Sequence, residues 1–152
     1  MKKLRIYADT SVFGGIFDDE FAEYSRKLFV EVKAGRFLLV VSEAMLDELE
    51  QAPDKVRQLL AELPEECVEN IFSSREVDEL RDAYLQAGVV GPASLVDAEH
   101  IAFASVADVD LIVSWNFKHI VHFEKIRGYH GVNLVKGYNP IPIHSPREVV
   151  EL

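Results

Sequence analysis

Apolar and polar positions switch between a strand-like and a helix-like period along this chain, and the switches mark its elements. Leu4, Ile6, Tyr7 and Ala8 form a short apolar run that reads as a strand and stops at Asp9, Thr10 and Ser11. The segment "DDEFAEYSRKLFVEVKAGR" has acids at its start, apolar residues at Phe21, Tyr24, Leu28, Phe29 and Val32, and Gly35 as a stop, which predicts a helix with both end signals. "FLLVV" (37–41) is a continuous apolar run, as expected of a strand buried on both faces. Ser42 is placed to cap a helix "EAMLDELEQA" that ends before Pro53, and a second helix, "DKVRQLLAEL", ends before Pro64.

Further on, "CVENIF" reads as a weak strand. Ser73 and Glu76 have the spacing of a capping box opening the helix "REVDELRDAYLQAG". After the turn "GVVGP", the Ala-rich "ASLVDAEHIAFASVADV" predicts a closely packed helix, "DLIVSWN" a buried strand and "FKHIVHFEKIRG" another helix. "PIPIHSP" suits a last short strand, confined to an edge by its prolines. Strands alternating with helices from end to end predict a single α/β domain over residues 1–152, with a mainly parallel central sheet flanked by helices. Ligands of such sheets bind beyond the carboxyl ends of the strands, where Asp9, Ser42 and "SWN" fall.

Composition narrows the class. A chain of 152 residues, 49% hydrophobic and 28% charged, buries about 70% of its unfolded surface without staples. The one cysteine, Cys67, excludes an internal disulfide and lacks the partners of a zinc site. No apolar stretch approaches the ~20 residues of a membrane span, and "MKKLR" leads into only a short strand. A cytoplasmic protein without membrane attachment is expected. A net charge of −10 argues against broad neutralisation of nucleic-acid phosphates. Between Phe117 and Tyr138, however, Lys118, Lys125, Arg127 and Lys136 face the single acid Glu124, a local charge of +3 that is either a solvated face or a phosphate-contacting patch.

Taken alone, Asp9 is either a helix cap or an acid held for chemistry. Two further carboxylates bear on the choice. Glu48 lies two turns into the helix after the second strand, with Asp47 pointing elsewhere, and Asp97 sits early in an apolar helix. The ordered set "ADTSVF", "SEAMLDEL", "LVDAEHIAFA" and "DLIVSWNFKHI" resembles the PIN domains, a family of metal-dependent ribonucleases that includes the toxins of VapBC-type pairs. The resemblance runs from residue 4 to about residue 122, and no single motif carries it.

It implies a catalytic set of Asp9, Glu48, Asp97 and Asn116, with the first three holding Mg²⁺ or Mn²⁺, both of which prefer oxygen ligands. Asn116 stands where an acid is commoner, which favours one firmly bound cation over two. Ser114 and Thr10 would support the site, and Lys118, Lys125 and Arg127 would bind the RNA substrate. An antitoxin and a homodimer are the protein partners that such relatives have.

Other readings stay open. His119 and His122 have a spacing compatible with shared metal ligation, or are surface or phosphate-contacting residues. Trp115 either stacks a base or packs in the core, and Thr10 and Ser11 either bind metal or cap a helix. A PIN-like RNA-binding or protein-interaction module of weak or no activity is the alternative function, kept alive by Asn116. A phosphoacceptor receiver domain needs an acidic pair after its first strand, where this chain has Thr10 and Ser11.

Overall fold

The computed structural model describes residues 3–151; Met1 and Lys2, the beginning of the basic start, and Leu152 lie outside the described residues. Strand β1 (Leu4–Ala8) leads through the short helix α1 (Thr10–Gly14), a 3-10 turn (Gly15–Phe17) and helix α2 (Ala22–Lys33) to strand β2 (Phe37–Ser42). Helices α3 (Glu43–Glu50) and α4 (Asp54–Ala61) connect to β3 (Val68–Ile71), and α5 (Arg75–Gln86) and α6 (Leu95–Val106) to β4 (Leu111–Val113). Helix α7 (Phe123–Lys136), β5 (Ile143–His144) and α8 (Pro146–Val150) complete the chain.

The five strands are all parallel, in the order β3-β2-β1-β4-β5. Chain connectivity therefore reverses direction between β1 and β4. At such a switch point the loops leaving two adjacent strands diverge to opposite sides and open a crevice at their carboxyl ends. Ile6, Tyr7, Ala8, Val40, Val41, Ile112 and Val113 are buried in the middle of the sheet, which explains why these strands read as unbroken apolar runs. Helix α6 is buried almost all round, at Ala98, Ile101, Ala102, Phe103, Ala104 and Ser105; small residues there let it lie close to the sheet and to α5.

Three boundaries differ from the sequence reading. The cap of α5 is Ser74, whose hydroxyl accepts from Val77 N; Ser73 instead donates to Glu43 from both its amide and its hydroxyl. The segment 117–122 does not start a helix. The Asn116 side chain accepts from the amides of Lys118 and His119 and its backbone carbonyl from those of Ile120 and Val121, closing a single capped turn; α7 begins at Phe123 and runs to Lys136. Gly137, in the left-handed region at φ 87°, ends it, as Gly35 at φ 84° stops the chain just beyond α2. A closing helix, α8, was not foreseen; Ser145 and Glu148 cap it reciprocally.

Among the described residues no helix is long and apolar enough to cross a membrane.

Candidate functional site

Asp9 follows β1 with extended backbone, and its side chain makes no capping bond to α1. It turns instead toward the end of β4. Ser11 Oγ donates to Asp9 Oδ1 at 2.5 Å and Ser114 Oγ donates to Oδ2 at 2.8 Å. Each of these hydroxyls also accepts a backbone amide from the end of β4, Trp115 N for Ser11 and Asn116 N for Ser114, both at 2.9 Å. Two serines thus tie one carboxylate to two strands, and Asp9 is only 5% exposed.

The other predicted acids lie around it. Asp97, half-buried in the first turn of α6, accepts from Asn116 Nδ2 at 3.2 Å. Glu48 projects from α3 and accepts from His100 Nε2 at 2.5 Å, while Asp47 is exposed. Burial pushes the Asp9 carboxyl above its usual range, with His100 and the two serines pulling it down and the Glu48 charge adding to the rise. Asp97 is also raised, by burial first, against the charges of His119 and His100 and the Asn116 hydrogen bond, again with Glu48 adding to the rise. Burial would raise Glu48 too, but the hydrogen bond and charge of His100 and a hydrogen bond from Thr10 leave it lowered.

His100 is the residue that the sequence reading missed. It is 2% exposed, and its Nδ1 meets the Tyr7 hydroxyl at 2.5 Å, which in turn meets Ser42 Oγ at 2.6 Å. Burial lowers the imidazole, but the Glu48 hydrogen bond and the charges of Asp9, Glu48 and Asp97 outweigh it and raise it. When the imidazole is charged it donates at both nitrogens, so the Tyr7 hydroxyl, which burial keeps protonated, accepts from Nδ1 and donates its own hydrogen bond to Ser42 Oγ. The signal in the sequence was a histidine three residues after Asp97 on an otherwise apolar helix face, the spacing that stacks two side chains.

The remaining candidates divide. Trp115 is core: its ring stacks on Phe21 at 4.3 Å and its indole N–H donates to Ser25. Of the proposed RNA contacts, Lys118 is exposed two residues beyond Asn116, Lys125 donates to Val89 O, and Arg127 lies over the Phe123 ring and near Glu124. His119 and His122 take part in no metal-holding group among the described residues.

No protein-family model matches this chain, and no curated protein matches it. What the site can hold follows from its donors. Carboxylate oxygens suit Mg²⁺ or Mn²⁺, yet among the described residues no three His, Cys, Asp or Glu side chains could enclose an ion together. The Asn116 carbonyl oxygen is taken by two backbone amides and is not a free ligand. The donors therefore fit a largely hydrated ion held by one or two carboxylates, the manner usual for Mg²⁺, and do not fit a closed protein cage.

Proposed function

We propose that this protein is a PIN-like, Mg²⁺- or Mn²⁺-dependent endoribonuclease. The observation carrying the reading is that Asp9, Asp97 and Glu48 lie near the switch point of a parallel sheet, close enough for the Glu48 charge to act on both aspartates; those two are held above their usual range, while Glu48 is hydrogen-bonded to His100 and Thr10. Such a crevice is short of positive charge. A cation there would lower the pKa of a bound water and offset charge developing on a scissile phosphate.

The chain's own residues do the rest. Ser11 and Ser114 fix both oxygens of Asp9, Asn116 orients Asp97, and His100 holds Glu48 in place while partly neutralising the group. Lys118, exposed beside the site, would meet a neighbouring phosphate. Asp9→Asn or Asp97→Asn should abolish Mn²⁺-dependent RNA cleavage with the fold retained, and Mn²⁺ should raise the melting temperature of the parent. Wild-type rates in both variants, or a parent melting temperature indifferent to metal, would refute the assignment. A small neighbouring reading frame encoding a DNA-binding protein would extend the reading to a toxin held by an antitoxin.

The second reading is a PIN-like RNA-binding or protein-interaction module without catalysis. The lack of an ion-enclosing group among the described residues and the engaged Asn116 carbonyl favour it. It predicts no cleavage of any RNA at saturating metal.

A further inference from the structure

Adjoining the carboxylates is a cavity of about 380 Å³. Ser11 and Asn116, which bond Asp9 and Asp97, form part of its lining, so an occupant sits one side chain away from the acids. A larger hollow of about 670 Å³ around Phe17, Arg26 and Lys55 shares no lining residue with the acids.

The cavity's aromatic wall is closely packed. Trp115 is clamped between the Phe21 stack and the bond to Ser25, and Gly15 permits the close approach, since a Cβ there would come within 2.8 Å of the indole nitrogen. Half-exposed Phe117 continues the aromatic surface outward, its ring 6.1 Å from that of Trp115. Gly14 is different. Its backbone is helical, and a Cβ there would meet nothing within 4 Å, so neither conformation nor packing accounts for the open space beside it.

The lining contains no Lys, Arg or His, and its one charge is the Asp18 carboxylate, which accepts from Glu20 N through Oδ1. Such a surface repels phosphate and suits a flat neutral group that donates hydrogen bonds. Unpaired RNA bases are bound in this way, against aromatic side chains and through their Watson–Crick edges. Guanine presents N1–H and the 2-amino group side by side, the donor pair that matches a carboxylate. We propose that the cavity is a nucleobase subsite taking one unstacked guanine of an RNA strand whose phosphate lies at Asp9 and Asp97. The proposal rests on the ribonuclease reading for its strand and on the cavity alone for its base.

Trp115 is the only tryptophan in the chain, so its emission reports on the cavity without any cleavage. Titration with the 5′-monophosphates of guanosine, inosine, adenosine, cytidine and uridine should give a saturable change for GMP. Inosine monophosphate, which lacks the 2-amino group, should bind about 10- to 100-fold more weakly, the worth of a hydrogen bond to a charged group. Gly14→Leu should fill the space and remove GMP binding with the melting temperature kept, and Asp18→Ala should erase the difference between GMP and inosine monophosphate. Binding of GMP by a parent that cleaves no RNA would uphold the subsite and sink the nuclease. No response to any nucleotide, as expected if a peptide fills the cavity, or equal binding by parent and Gly14→Leu, overturns the subsite even if RNA is cut.

Discussion

Asp9 carries two hydroxyl donors and still lies above its usual range, because hydrogen bonds to a buried carboxylate do not replace the water it has lost. Asp9, Asp97 and His100 all bind protons more tightly in the folded chain. Their stabilisation is therefore fully present below their ordinary values, 3.8 for the aspartates and 6.5 for the imidazole, and is lost as pH rises through the raised ones. Glu48 acts oppositely: its contribution is present above 4.5 and is lost as pH falls through its lowered value. Metal-free protein should thus melt at progressively lower temperature as pH is raised from about 4 past 6.5, and Mn²⁺ should restore stability most at the upper end, since binding displaces protons. A flat melting profile over that interval would mean the acids are not coupled in this way. Ser114→Ala should reduce cleavage about 10- to 100-fold, as removal of a supporting partner does. Asn116→Asp replaces a donor to Asp97 with a second carboxylate; it should lower the metal concentration needed for full rate while destabilising the metal-free fold, both read by one metal titration.

At the scale of elements, the helices outside the sheet are registered by buried polar groups. Asn133 on α7 is 1% exposed; it accepts from the Tyr84 hydroxyl of α5 and donates to Ser105 of α6 and to Asn139 O. Three helices therefore share one amide. Asn133→Leu should destabilise the fold by about 1–3 kcal/mol for each partner left unpaired, measured by urea unfolding, and should leave the carboxylate site intact. The capping positions show how far local pattern reaches. Adjacent serines at 73 and 74 are equally good caps, and the choice fell on Ser74 because Glu43, from another helix, claims Ser73. Likewise "FKHIVH" has apolar residues at helical spacing and the Asn116 side chain caps its first amides, yet the amides of Ile120 and Val121 both return to the Asn116 backbone carbonyl and the segment stays a single turn.

For the whole molecule, a net charge of −10 has to be reconciled with the RNA substrate proposed above. Lys125 is committed to Val89 O, which leaves exposed Lys118 and largely exposed Arg127 as the cations of that segment nearest the site that can meet phosphates. RNA binding should accordingly depend weakly on salt, with a slope of about −0.7 for each phosphate contact to a single strand. Lys118→Ala should reduce that slope by about one contact, and Lys125→Ala should leave it nearly unchanged; the reverse result would place the strand along α7.

The local sequence determined which segments are strands and helices and which ends carry acids, because side-chain period and end signals act over a few residues and survive in any arrangement of the pieces. Asp9, the buried "FLLVV" run and the Ala-rich stretch around Asp97 were legible for that reason. Only the tertiary structure decided which groups meet. Strand order brought β4 beside β1 and so gave Asp9 its two serines; the packing of α6 against α3 drove His100 between Tyr7 and Glu48. It also turned Trp115 inward and Lys125 onto a carbonyl. Distance and burial between segments far apart in the chain set these contacts and the proton affinities that follow from them, and neither quantity is written in a local pattern.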